Sequence, residues 1–387
     1  MTRKLFWEDP YGTRFTAKIC SIKEDGIILD QTLFYPFSGG QLSDRGFLRI
    51  EGKKFEVENV TIDGDDILHH ISGLIQNEIN IENKVIGELN WEYRYGLMKA
   101  HSSQHVFSAV ITEKFGINTI KAYLNFEEVS LSLSKNISYN QLKSALEEIN
   151  EICTVKNLKI EIKIISPEEA EASTHNTRGE IPVKNKIRIV IIENLDSVYC
   201  GGTHVNHSNE IGPLFVYEFK KGREIKYYVG NKSLKAYTNL NMDILDSADY
   251  LGLPLFKINK KIKEQYKEKL LIQEKNKDLS FNYLNLLSNS PLDKINNISI
   301  FVSELEFEHK ILKKTYGNFP PDSLLILNLT NNRIKILSNT QRVNANDLLN
   351  SFITRYGGQG GGNQALAQGT INKNIKDVIS ELRSLLN

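Results

Sequence analysis

Two short segments, HSSQH at His101–His105 and CGGTH at Cys200–His204, constrain this chain more than any other feature. Each offers two metal-type side chains four residues apart, and a fold that used them would have to bring distant stretches together. HSSQH lies in a run of helical apolar spacing from Trp91 to Phe115 that stops at Gly116, so His101 and His105 project from one helix face about one turn apart. Alone, such a pair is weak evidence for a metal, since two histidines at this spacing also read as the polar face of a partly buried helix. CGGTH is not helical; its glycines let the backbone bend enough to turn both Cys200 and His204 inward. Cys200 alone reads as a small buried hydrophobe or a nucleophile. Taken together, the two pairs make a single Zn2+ site with ligands His101, His105, Cys200 and His204 the economical reading. Four tight ligands would close the metal and make it structural, whereas hydrolysis needs one accessible position. No HExxH is present, which argues against a peptidase, and CGGTH lacks the CxxC spacing of structural zinc ribbons.

The 387 residues suffice for two to four hydrophobic cores, and 40% hydrophobic with 25% charged residues is ordinary for a folded chain. A net charge of +1 supplies no global field to attract nucleic acid, so any RNA contact must be local. Lys220, Lys221 and Arg223 at a hairpin tip and the lysine-rich stretch 257–277 are such patches, though each also reads as a solvated face. Three cysteines make no disulfide framework, the segment MTRKLFWEDP has no apolar signal core, and no long apolar run occurs. A cytoplasmic location is expected.

The pattern predicts an α+β chain in four parts. Alternating runs over residues 1–88 predict a small N-terminal β-barrel. Residues 89–240 predict a zinc-binding α+β domain: helices at Trp91–Phe115 and Tyr139–Cys153, strands at Leu158–Ile165 and Ile187–Glu193 with Pro182 between them, and a hairpin of LFVYEF and IKYYVG. Charged residues, near absence of glycine and apolar positions at helical spacing predict a helical connector over 241–290, in an antiparallel hairpin. A C-terminal α/β domain follows over 291–387, with strands ISIFVSEL, SLLILNLT and RIKILS and helices at Asp347–Tyr356 and Ile375–Leu386.

Two glycine clusters complete the inventory. In FYPFSGGQLSDRG (Phe34–Gly46), Gly39 and Gly40 permit close backbone approach, and Gln41 and Asp44 can bond an amine or hydroxyl; taken alone, the motif reads better as an ordinary barrel turn. In GGQGGGNQALAQG (Gly357–Gly369), exposed N–H groups can cradle phosphate or follow an RNA backbone, with a flexible linker as the alternative.

In order, KLFWEDPYGTRF, FYPFSGGQLSDRG, HSSQH, CGGTHV with NEIG, and GGQGGGNQALAQG resemble the free-standing alanyl-tRNA editing proteins of the AlaX type, in the long form, over nearly the whole chain. The resemblance implies a barrel, a zinc editing domain shared with alanyl- and threonyl-tRNA synthetases, a helical connector, and an RNA-binding extension like the DHH-associated domain. It makes His101, His105, Cys200 and His204 the ligands of one Zn2+, and offers Gln41 and Thr119 as polar catalytic or specificity residues near the metal. Gly357, Gly358, Gly360, Gly361, Gly362, Asn363 and Gln368 become tRNA contacts. The implied reaction is hydrolysis of the ester joining serine or glycine to alanine-accepting tRNA, sparing Ala-tRNA. A zinc-stabilised RNA-binding module without turnover and an editing enzyme for another tRNA are the rival readings. A homodimer through the connector or the C-terminal domain is an expectation of the apolar helix positions.

Overall fold

Phe15, Ala17 and Ile19 face inward on Arg14–Lys23 (β1) while their neighbours face water, and this alternation runs through a closed six-stranded barrel. Its other strands are Gly26–Leu29 (β2), Gly46–Ile50 (β3), Lys53–Asp63 (β4), Asp66–Ile71 (β5) and Lys84–Leu89 (β6), paired antiparallel in the order β1-β2-β5-β4-β3-β6. Ile27, Leu29, Leu48, Ile50, Val57, Val60 and Val85 fill it. The computed structural model describes residues 1–71, 79–172, 177–178, 186–329, 332–373 and 377–386, and Pro182 lies outside them.

Trp91–Phe115 (α1) forms where periodicity predicts it. The Asn90 side chain accepts the Tyr93 N–H at 3.1 Å, and Gly116, at φ 63°, ends the helix in the left-handed region that glycine tolerates best. The helix is buried on nearly every face, because Met98, Phe107, Val110 and Ile111 pack into a core with strands on one side while Arg94 reaches the barrel on the other. A hairpin of Thr119–Asn125 (β7) and Glu128–Leu133 (β8) follows, then Tyr139–Thr154 (α2), whose Ser138 and Gln141 form a reciprocal cap. Ile160–Ile165 (β9), Ile187–Ile192 (β10) and Asp196–Tyr199 (β11) make one antiparallel sheet. Phe215–Lys220 (β12) and Glu224–Tyr228 (β13), the expected hairpin, join β8 and β7 in a second sheet of order β12-β13-β8-β7.

The helix expected from about residue 240 begins earlier, at Gly230, and runs unbroken to Tyr250 (α3). Both carboxylate oxygens of Glu127 cap it by accepting the Asn231 and Lys232 N–H groups, so a carboxylate in the β7–β8 turn fixes a start that local propensity does not announce.

The chain divides into two compact units, Met1–Ser247 and Ala248–Asn387. In the second, Ile258–Leu287 (α4) precedes a sheet of Asp293–Ile295 (β14), Ile298–Ser303 (β15), Ser323–Leu329 (β16), Arg333–Ser338 (β17), Gly358–Gly362 (β18) and Leu366–Ile371 (β19). Its order is β14-β15-β16-β17-β19-β18, with one parallel pair, β15 and β16, bridged by His309–Tyr316 (α5). The sheet is covered on both faces. Ile300 and Ile326 pack with Leu349 and Phe352 of Ala345–Tyr356 (α6), while Phe301, Leu325 and Leu327 pack with Leu284 of α4. That explains the near-continuous apolar run of β16. The last helix is Val378–Leu386 (α7). Among the described residues no helix is long and apolar enough to cross a membrane.

Candidate metal centre

The fold brings the two histidine segments together. His101 and His105 face out of α1, and the loop after β11 carries Cys200 and His204 to them, so that one ligand atom from each of the four lies within 4.8 Å of the others. Nε2 of His101 and of His204 each stand 3.4 Å from Cys200 Sγ. The three imidazoles are at most 4% exposed.

Groups behind the ligands set their orientation. His101 donates Nδ1–H to Gln41 Oε1 at 2.6 Å, leaving the bare Nε2 turned toward Cys200. Gln41 itself is fixed, since its Oε1 also accepts the Thr203 N–H and its Nε2 donates to Thr203 Oγ1 at 2.9 Å. His204 Nδ1 pairs with Ser102 Oγ at 3.1 Å, and the same hydroxyl receives the Val205 N–H. His105 Nδ1 is buried with no partner.

These residues fit a zinc ion by three observations. Burial, with the Arg188 charge behind it, pushes His101 down to about 3, and burial with the neighbouring imidazoles holds His105 and His204 well below their ordinary value. All three rings are therefore neutral donors at physiological pH. The Cys200 thiol is pushed up by burial, opposed by the Gly202 N–H and by Arg188, and a divalent cation is the natural means of making it a thiolate there. Gly202 is a cradle: a Cβ on it would lie 2.1 Å from His101 Cε1 and 2.9 Å from Gln41 Oε1.

The glycine loop of the barrel reaches this centre through a bridge between Gln41 and Leu124 of β7. Asp44 does not face a ligand. It is fully buried against the Arg94 guanidinium, which also donates to the carbonyls of Pro10 and Leu33, so that Asp44 pins the loop to α1. Thr119 opens β7 and bonds Ser108 Oγ at 2.8 Å; Ser108, on α1 one turn past His105, also receives Gln104 Nε2–H. Thr119 thus stands one hydroxyl away from the histidine face. Sequence reasoning missed Ser102, Thr203, Arg188 and Glu210. The last accepts the phenol O–H groups of Tyr11 and Tyr95 and the Asn206 and His207 N–H groups, tying the CGGTH loop to both barrel and helix. Its signal was the NEIG that follows CGGTH.

In the second unit the GGQGGGNQALAQG motif is the edge hairpin β18–β19, not a linker. Gly358 and Gly362 are required there, since a Cβ on either would lie within 2.2 Å of a carbonyl oxygen across the pair, and Gly357 stands at φ 71°. Gly360 is nearly as tight, whereas a Cβ on Gly361 meets nothing within 4 Å. Asn363 Oδ1 closes the turn by accepting the Ala365 and Leu366 N–H groups. Gln368, exposed on β19, lines a cleft of about 590 Å³ with Glu306, Arg333, Lys335, Gln359 and Thr370.

Residues 7–93 match the family model for class II (A) tRNA synthetases, and residues 299–387 match that for the DHHA1 domain. The alanyl-tRNA editing protein AlaX-L of Pyrococcus horikoshii is 28% identical over the full length of both chains. Alanine–tRNA ligases of Sulfurisphaera tokodaii and Methanococcus maripaludis are 26% and 27% identical over the whole of this chain, which spans 44% of each ligase. The order of domains and the end-to-end alignment agree: over its full length the chain is similar to an AlaX-type alanyl-tRNA editing protein of the long form.

Proposed function

We propose that this chain is an aminoacyl-tRNA deacylase that hydrolyses the ester of serine wrongly attached to alanine-accepting tRNA while sparing Ala-tRNA, with the glycine ester as a second candidate substrate. The observation that carries the reading is the quartet of buried His101, His105 and His204 with half-buried Cys200, in which Gln41 from the barrel loop orients His101. Bound by these four, Zn2+ would supply a Lewis acid beside the ester carbonyl and a lowered pKa for water.

The chain's own residues supply the rest. Gln41 holds the His101 ring in one tautomer and rotation, and Ser102 holds the rotation of the His204 ring, as such outer partners generally do. The hydroxyls of Thr119 and Ser108 lie along the histidine face, where a partner for the serine hydroxyl is required. A site that hydrogen-bonds this hydroxyl leaves its own polar groups unpaired when alanine enters, so alanine is disfavoured although it is smaller. Residues 1–88 would act as the barrel that presents Gln41, 89–240 as the editing domain, 241–290 as the connector, and 291–387 as the tRNA-binding domain. Gly357, Gly358, Gly360, Gly361, Gly362, Asn363 and Gln368 would meet the phosphate backbone. Exposed Ile262, Tyr266 and Leu270 at helical spacing on α4 support the homodimer reading.

The test is release of labelled amino acid from Ser-, Gly- and Ala-tRNA of the alanine-accepting type by zinc-loaded protein, beside a folded variant with Cys200→Ala and His204→Ala. Clearance of the serine or glycine ester, sparing of the alanine ester and loss of activity in the variant are expected. Binding of tRNA without release by the loaded protein would overturn the reading in favour of a non-catalytic RNA-binding module.

A further inference from the structure

Arg188, on β10, is 4% exposed, and its guanidinium makes one described hydrogen bond, from Nη1 to the Cys200 carbonyl at 2.7 Å. Its Nε and Nη2 are buried and have no partner among the described residues. Its charge falls on the metal centre all the same, acting on His101, His105, His204 and Cys200, and on Tyr35 of the barrel loop.

A buried guanidinium without a carboxylate is costly, by several kcal/mol when no partner restores its lost hydration. An arginine kept only for packing is expected to meet an acid or to give way to an apolar residue of similar volume. The ligand set does not supply the missing charge, because an imidazole brings no negative charge and the one thiol can contribute a single one. With a divalent ion in place the pocket carries net positive charge, and Arg188 adds to it instead of cancelling it.

We infer that Arg188 is a positioning residue that makes this centre selective for an oxygen anion, holding the Cys200 turn through one N–H and lending its uncompensated charge to the negative oxygen that forms when the substrate carbonyl is attacked. The inference rests on the deacylase reading for its substrate. In that reaction the oxygen of water bonds to the ester carbon, and the carbonyl π pair moves onto the carbonyl oxygen. That pair then re-forms the double bond, the bond to the ribose oxygen breaks, and the ribose oxygen takes the proton that water has lost. A positive charge fixed beside the centre favours the stage with the anionic oxygen over the neutral ester, so it acts on kcat and not on KM.

Arg188→Met and Arg188→Lys separate this role from a merely structural one. Metal content and melting temperature are read first, then azide binding to the Co2+-loaded protein by visible absorption, then deacylation of Ser-tRNA. The methionine variant is expected to keep its metal and its melting temperature, to bind azide at least tenfold more weakly, and to lose about 100-fold in kcat with KM changed less than about threefold. Lysine, which keeps the charge, should recover about tenfold of the loss. A methionine variant with unchanged azide affinity and kcat overturns the inference, and so does one that merely loses metal. If the wild type releases no amino acid while azide still separates the variants, the deacylase reading fails and the anion-selective role of Arg188 stands.

Discussion

Gly202 shows how far a single residue can decide this site. Its φ is not unusual, so the constraint is space: the nearest atoms to an added Cβ belong to His101 and Gln41, and His101 cannot retreat without leaving the quartet or breaking its bond to Gln41. Gly201, one residue earlier, has nothing within 4 Å of such a Cβ. Gly202→Ala is therefore expected to lower zinc affinity at least tenfold while leaving the fold intact, and Gly201→Ala to be near neutral, read as zinc retained after dialysis against a graded chelator. Equal retention by both variants would mean that the ring moves aside freely. The quartet of candidate ligands was legible in the sequence because imidazole and thiol suggest a metal site by type and spacing. Arg188 was not, because an arginine on a strand looks the same whether it faces water, a carboxylate or a metal centre. The role of Asp44 was not legible for a related reason: burial of a polar loop residue is a tertiary property, and the partner that buries it, Arg94, lies on another element.

At the scale of elements, the geometry of the centre depends on how the barrel loop is pinned to α1. Arg94 and Asp44 are both fully buried, and the guanidinium also satisfies the carbonyls of Pro10 and Leu33. Removing one partner leaves the other charge buried and unpaired, which costs about 3–5 kcal/mol. Arg94→Met and Asp44→Asn are each expected to lower stability by about that amount in urea titration, and the double variant by less than the sum. A loss below about 1 kcal/mol in either single variant would mean that the loop is held by its backbone bonds alone. The helices and the β12–β13 hairpin follow periodicity and caps, which are local, and so were legible. The start of α3 was not, because Glu127 caps it from the β7–β8 turn, about 100 residues away in sequence. The glycine motif was ambiguous for the converse reason: its strand β18 has almost no side chains to alternate, and its pairing with Gln368, Gly369 and Thr370 exists only once the sheet has formed.

For the whole molecule, a net charge of +1 means that nothing draws tRNA in globally, so affinity must come from a few phosphate contacts. The metal centre and the glycine hairpin belong to different compact units, which lets their contributions be separated by substrate. If the hairpin meets phosphates, KM for a full mischarged tRNA should rise with salt, by about 50-fold between about 50 and 200 mM for three or four contacts, while kcat hardly moves. A fragment carrying only the aminoacylated terminal adenosine should show neither dependence. Gly361→Asp places a negative charge on the exposed strand at a position where an added Cβ meets nothing, so it should leave the sheet intact. It is expected to raise KM for the full tRNA at least fivefold and to flatten its salt dependence, with the fragment unaffected, all read from initial rates of amino acid release. Equal weakening on both substrates would point to damage at the metal centre. No change on either would place the phosphate contacts elsewhere, with the lysines of α4 the next group of basic residues to test.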